Sequence, residues 1–370
     1  FKRVAVETPD YEYADRSLFQ AGLEYRLGGA WTEANEVFLL LVDRYPVSEY
    51  APKALYNAGY DLQTEVNDLS GSARLFEDLA NNYKESDLTK GALANASANY
   101  AAVEDHEGVI RVNELFVSLF PNDDDAHIYL FENAEHYLSL GDVDKANEIY
   151  QRFSARFPNN PRTIQANYER GKYFLEQGSL AQASREFSKT VTAHDRMVDR
   201  GLPGSPKYAS RSLAQVLEWE HAEYDEIQFR LPTSSLRASE KEKVAKRNNL
   251  IEKYQKLLSF GQKEGYAGFY RMGLLDDELA RVTYEQEVPD YNRQDRRLQA
   301  TTDLVDKSII LSSVASATYE SGIDNLNSII DQLSVELTSM RLNYNSITEN
   351  IAIMQKEDAE GLSDSLAQQR

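Results

Sequence analysis

Cysteine is absent from the 370 residues, which excludes disulfides and thiolate-held metals. No run of about 18 apolar residues occurs, so no segment reads as a transmembrane helix. Histidine is scarce: His106, His127, His136, His194 and His221 are the full set. None stands in a His-Glu-x-x-His or other close metal pairing, and all five read as surface or packing residues. No phosphate-cradling glycine loop and no nucleophile elbow is present. Asp123-Asp124-Asp125 lacks the spaced acidic ladder and the glycine of a calcium loop, and reads as a helix start. These absences speak against an enzyme, and no cofactor or metal is expected.

Basic residues are outnumbered, 40 against 60 acidic, for a net charge of −20. Such a chain repels phosphate backbones and anionic lipid, so nucleic acid is not an expected partner. One basic run, Lys241 to Lys256, is interrupted by Glu242 and Glu252 and reads as a solvated helix face. The chain opens on Phe1 rather than methionine. It is therefore read as a fragment or processed form, with any signal peptide or lipidated cysteine lying upstream.

What is present is repetition. Phe38, Phe76, Asn113, Tyr150 and Phe187 align as successive copies of one position. The turns before them begin near Gly29, Asn67, Glu104, Gly141 and Gly178, a period of 37 to 38 residues. The second helix of each unit ends at Tyr45-Pro46, Tyr83, Phe120-Pro121 and Phe157-Pro158. Ahead of each turn a small residue precedes a large one by three positions: Gly22/Tyr25, Gly59/Leu62, Ser97/Tyr100, Ala134/Tyr137 and Gly171/Phe174. Leu18, Leu55, Leu93 and Leu130 lie one turn further back. A small residue lets a neighbouring helix approach, and a bulky one fills the adjacent gap. Glycine serves the turn, and Ser48, Asp125 and Asn160 sit where the next helix needs a cap. One helix pair buries too little to stand alone, so the copies must stack. The fold class is all-α, an α-solenoid.

On these residues the chain resembles the tetratricopeptide repeat (TPR) family. Trp31, Ala34, Phe38 and Pro46 stand at that family's aromatic, alanine, aromatic and proline positions, and Val143, Ala146, Tyr150 and Pro158 match them in the fourth copy. The second copy has Ser72 for the alanine; the third has Val109 and Asn113 for the alanine and the aromatic. The phrases from Leu41 to Ala51 and from Phe153 to Pro161 look like long-period TPR proteins of the bacterial envelope, the BamD type and the Tol-Pal coordinator type. That resemblance implies a scaffold in an envelope machine, periplasmic or attached to the outer membrane, with one or more protein partners. The alternative is a cytoplasmic adaptor, or a homo-oligomer assembled through the C-terminal helix.

The expected organisation is a lead-in over 1–11, about five repeats over 12–195, degenerate TPR-like helices over 196–295, a C-terminal helical pair over 296–356 and a polar, disordered tail over 357–370. Gly322 is placed either at a turn of that pair or inside a continuous helix. Ile323, Leu326, Ile330, Leu333, Leu337, Met340, Tyr344, Ile347, Ile351 and Met354 alternate spacings of three and four, a heptad seam. Its flanks are mostly uncharged (Asn327, Ser334, Asn343, Thr348, Asn350). The seam either lies on its own array as a cap or pairs with another chain. In TPR arrays the outward positions of each first helix line a groove. The resemblance therefore points to Phe19, Leu23 and Arg26; Lys53, Tyr56 and Tyr60; Ala94 and Ala98; Phe131 and Glu135; Tyr168 and Lys172. The basic and asparagine set that grips a terminal carboxylate in chaperone-binding relatives is missing, with Phe19 and Leu23 at its first places. An aromatic groove of this kind suits an apolar helix or extended segment.

Overall fold

The computed structural model describes residues 1–290 and 293–368, with the side chains of all these except 4–6, 347, 350 and 351–368. Among the described residues every regular element is helical. Contacts divide the chain into two units, Phe1–Tyr208 and Ala209–Arg370.

In the first unit a short α1 (Lys2–Glu7) precedes five helix pairs. These are α2 (Ala14–Leu27) with α3 (Trp31–Arg44), and α4 (Ala51–Asp61) with α5 (Leu69–Asn82). There follow α6 (Thr89–Ala102) with α7 (His106–Leu119), α8 (Ala126–Ser139) with α9 (Val143–Arg156), and α10 (Arg162–Glu176) with α11 (Leu180–Asp199). Every aligned turn position has left-handed backbone: Gly29 at φ 74°, Asn67 at 60°, Glu104 at 58°, Gly141 at 77° and Gly178 at 69°. Asn67 reaches that geometry after a π-helical turn, Leu62–Val66, that prolongs α4. Asp68, Asp105 and Asp142 follow three of these turns, and each accepts the backbone N–H three residues on, at 2.8, 2.9 and 3.1 Å. These are side-chain N-caps.

The small-and-large pattern has a concrete meaning. At Gly22, Gly59 and Gly171 an added methyl would run into the ring of Phe38, Phe76 and Phe187 respectively. In these three pairs the aromatic of the second helix thus lies on bare backbone of the first; in the fourth pair Ala134 stands where they have glycine. The third pair solves the same contact differently. Ser97 and Asn113 are both buried, and the Ser97 hydroxyl donates to the Asn113 amide oxygen at 2.7 Å. The departure at Asn113 is therefore matched across the helix pair by Ser97. Ser72 is compensated in a similar way, donating to the Gly59 carbonyl at 2.7 Å and accepting from Asn99 at 2.9 Å.

Second helices stop at Tyr45, Tyr83, Phe120 and Phe157, whose N–H groups each close a last 2.8 Å bond to the residue four back. The cap before the next first helix falls to Ser48, Ser86, Asp123 and Asn160, each accepting an N–H two residues on. Asp125 makes no such bond; the cap is Asp123, two residues earlier. Asp123 also takes the Lys90 ammonium at 2.7 Å, and that hydrogen bond, ahead of the one from the Asp125 N–H, holds its carboxyl below the usual range.

The second unit is built from the rest of α12 (Pro206–Asp225), α13 (Thr233–Ser259), α14 (Lys263–Tyr284) and α15 (Gln294–Gln368). The turn-forming residues Leu231-Pro232-Thr233-Ser234-Ser235 hold only a short connection, because α13 begins at Thr233. Phe229, Leu236, Leu279 and Val282 form a small apolar core. The basic run is not a solvated face. Lys243 is fully buried, its ammonium donating to the carbonyls of Tyr224 and Ile227 at 3.1 and 2.9 Å and to Glu278 at 3.2 Å. Lys246 and Lys253 reach Glu223 and Glu220 on α12, each at 2.6 Å, and Arg247 pairs with Asp276 on α14. Charges spaced along one helix face have found carboxylates on both neighbours.

The expected helical pair over 296–356 is one continuous helix, with Gly322 inside it, and that helix runs on to Gln368 through most of the expected disordered tail. Gly322 needs no turn because it answers a close approach: a methyl there would meet the Cβ of Phe269 at 2.9 Å.

Candidate partner-binding face

The residues singled out on the first helices fall into two rows that recur with the repeat period. Phe19, Tyr56, Ala94, Phe131 and Tyr168 form the inner row. Leu23, Tyr60, Ala98, Glu135 and Lys172 form the outer row, and all but Leu23 are exposed.

The inner row packs between units. Phe19 stacks on Tyr50 at 5.2 Å between ring centroids. Tyr56 meets Phe76 edge-on at 5.3 Å, and its hydroxyl accepts from Asn95 of α6 at 3.4 Å. Tyr168 lies against Phe187 and Tyr208. These three remain half-buried. Phe131 does not line a surface. It is 2% exposed, held between Tyr150 and Phe153 with the Arg162 guanidinium 5.0 Å above its ring.

Arg26 is likewise committed inside the fold. It reaches Asp61 at 2.8 Å and Asn57 at 3.1 Å on α4. Asp61 is fully buried; burial pushes its carboxyl up while Arg26 pulls it back. Removing Arg26 would leave that carboxylate without its cation. Lys53 is exposed, 5.2 Å over the Tyr50 ring. Lys172 lies 5.6 Å over Tyr168 and pairs with Glu169 at 2.6 Å. Tyr60, 45% exposed, is the aromatic of the set most open to solvent.

Where the rows reach Ala94 and Ala98, large side chains give way to a hollow of about 380 Å³ between α6 and α8. Ala94, Ala98 and Ala101 line one side; Ile128, Tyr129 and Glu132 line the other. Burial raises the Glu132 carboxyl above the usual range. His136 closes one end of the hollow. Its Nδ1 lies 2.9 Å from Nδ1 of His106, a pairing across 30 residues that spacing along the chain does not disclose. Burial, and secondarily His106, lowers the His136 pKa.

The sequence reading missed a second hollow, about 770 Å³, between α9, α10 and α11. Arg170, Arg185, Lys189 and Arg196 line it. Glu186 forms part of the buried structure beside them, 2.8 Å from Lys189 and 3.6 Å from Arg170. The signal was available as Arg185, Lys189 and Arg196, four and seven apart along α11, but it was lost in the strongly acidic total. Among the described residues no three His, Cys, Asp or Glu side chains are grouped to hold a metal. No described helix is long and apolar enough to cross a membrane.

A stack of two-helix units with left-handed turns and aromatic-on-glycine contacts defines a helical-repeat solenoid. Residues 134–160, the second half of α8 with its turn and α9, match the tetratricopeptide repeat family. The other pairs of the array repeat that unit with its turn geometry. MamA from Desulfovibrio magneticus RS-1 is similar at 15% identity and a TM-score of 0.28, over 49% of this chain and 96% of that one. A tetratricopeptide repeat protein from Parabacteroides merdae is similar at 10% identity and a TM-score of 0.29, over 80% of this chain and 98% of that one. Among curated proteins none matches.

Proposed function

We propose that this chain is a non-enzymatic scaffold that holds a protein partner along the first helices of its repeats, and that it serves a bacterial envelope machine. The observation that carries the binding reading is the alanine-floored hollow beside Tyr129, set in the same face as Tyr56 and Tyr60. A hollow of this size admits a large apolar side chain, and buried aromatic or aliphatic anchors are where protein interfaces concentrate their affinity. Flanking aromatics that are already half-packed lose little freedom when a partner covers them. The envelope placement, periplasmic or attached to the outer membrane, is supported by the resemblance of residues 41–51 and 153–161 to envelope TPR proteins.

Two experiments test these parts separately. Immobilised wild-type chain and the double variant Tyr56→Ala/Tyr60→Ala are used to capture partners from the native organism, with mass-spectrometric readout. The variant should weaken capture of the wild-type partner by roughly thirtyfold, the loss of about 2 kcal/mol typical of an anchor. Ala98→Trp, which fills the hollow, should weaken it as well. Full retention by both folded variants overturns the groove. Fractionation of the native organism should recover the chain with periplasm or outer membrane. Recovery in the cytoplasm favours the second reading, an adaptor or homo-oligomer assembled through the final helix, which rests on the exposed seam of α15.

A further inference from the structure

The 75-residue α15 divides into a packed part and a bare part. Up to Gly322 it lies on α14. Tyr319 covers Gly273, Ala315 is buried, and the Ser308 hydroxyl donates to the Ala280 carbonyl at 3.1 Å. From Ile323 to Glu349 every described side chain is exposed except Leu326 and Ile329, which are half-buried. Ile323, Ile330, Leu333, Leu337, Met340 and Tyr344 are 50–70% exposed. A row of this length is an unusual apolar surface to leave in water. No proline or turn interrupts the helix here, so it cannot fold back on itself. The side chains of Ile347, Ile351 and Met354 lie outside the described residues; in sequence they continue the row.

We propose that this segment pairs with the same segment of a second copy of the chain as a parallel, in-register, two-stranded coiled coil. The inference rests on the second reading above and adds its geometry. The three-four spacing holds for more than four heptads, about 48 Å of helix at 1.5 Å per residue, enough for a stable seam. Ile323 and Ile330 take the first core position of their heptads and Leu326 and Leu333 the second, the combination that favours two parallel strands.

The flanking positions then select the orientation. Asn327, Ser334, Arg341 and Thr348 flank the seam on one side, and Ile329, Glu336, Asn343 and Asn350 on the other. Glu336 and Arg341 are the two charged residues among these eight. In a parallel, in-register pair each residue on the second side faces the partner's residue five positions further on. Glu336 therefore meets Arg341 of the second copy, twice by symmetry. Antiparallel pairing sets like flanks against each other, so neither charge can meet its opposite. Exposed pairs of this kind contribute little affinity; their effect is on orientation.

The absence of native cysteine makes the test direct, since any engineered thiol is the single one in the chain. The full chain should be a dimer by size-exclusion chromatography with light scattering. Leu337→Asp should raise the dissociation constant by roughly a hundredfold or more, against a loss of one core layer in each helix. Met340→Cys should form a covalent dimer under mild oxidation, whereas Thr338→Cys on the outer face should not. Glu336→Arg should weaken the dimer, and adding Arg341→Glu should restore it. A monomer at all concentrations overturns self-association itself. A dimer indifferent to Leu337→Asp places the interface elsewhere and overturns the proposal. A dimer broken by Leu337→Asp but silent at Met340→Cys keeps the association and overturns the parallel register.

Discussion

Glu104 illustrates how one residue can be wrong for its place and still be tolerated. It occupies the turn position taken by glycine in three of the five repeats, at φ 58°. An L-residue in that region costs about 1–2 kcal/mol, while glycine costs some chain entropy on folding. Glu104→Gly should therefore stabilise the protein by about 0.5–1 kcal/mol in urea unfolding, and Gly141→Ala should destabilise it. An unchanged midpoint for Glu104→Gly would mean that its left-handed backbone is not strained. The His106–His136 contact bears on pH. Burial first, and His106 second, lower the His136 pKa below about 6.5, so the unfolded chain binds the proton more readily. The resulting stability is complete above about pH 6.5 and is lost as pH falls below that value toward the folded pKa. Wild type should lose stability over this acidic window more steeply than His136→Gln. Parallel pH profiles would remove the role assigned to this pair.

At the scale of elements, α13 departs most from its sequence appearance. Lysines on a polar helix read as solvated, yet Lys243 lies 4.4 Å over the Tyr224 ring with two carbonyls and Glu278 as acceptors. Burial lowers its pKa, with Glu278 opposing. Lys243→Ala should cost about 2–4 kcal/mol, since it leaves a cavity and uncompensated acceptors. Lys241→Ala, two residues away on the exposed side, should stay within about 0.5 kcal/mol. Equal effects on chemical denaturation would contradict the burial. The sequence offered no sign of this difference, because the carbonyls and the carboxylate that receive Lys243 come from the end of α12, the segment just after it and α14. The turns show the opposite case. All five were legible, including those without glycine, because the period fixed where the left-handed residue must fall.

For the molecule as a whole, a net charge of −20 sets a second expectation for partner binding. If affinity resides in the hollow and its neighbouring aromatics, the complex should change little between roughly 50 and 300 mM salt, a range over which exposed charge interactions are strongly screened. Dissociation across that range would shift the contact to charged surfaces, for which the hollow lined by Arg170, Arg185, Lys189 and Arg196 is a ready candidate.

The sequence by itself determined the repeat: its period, its turns, its paired helices and the rows of residues that recur on each first helix. These follow from local backbone preference and from contacts at fixed spacing, both of which are written along the chain. It also determined the heptad seam, since a three-four rhythm needs no knowledge of neighbours. Only the tertiary structure decided which members of a row are open. Tyr60 and Phe131 both stood in the same predicted groove, yet Arg162, Tyr150 and Phe153 enclose one and leave the other exposed. Only the tertiary structure paired Ser97 with Asn113, His106 with His136 and Lys243 with Glu278, and carried α15 unbroken through Gly322. Each of those outcomes depends on what a second element brings within a few ångströms, which no single stretch of sequence contains.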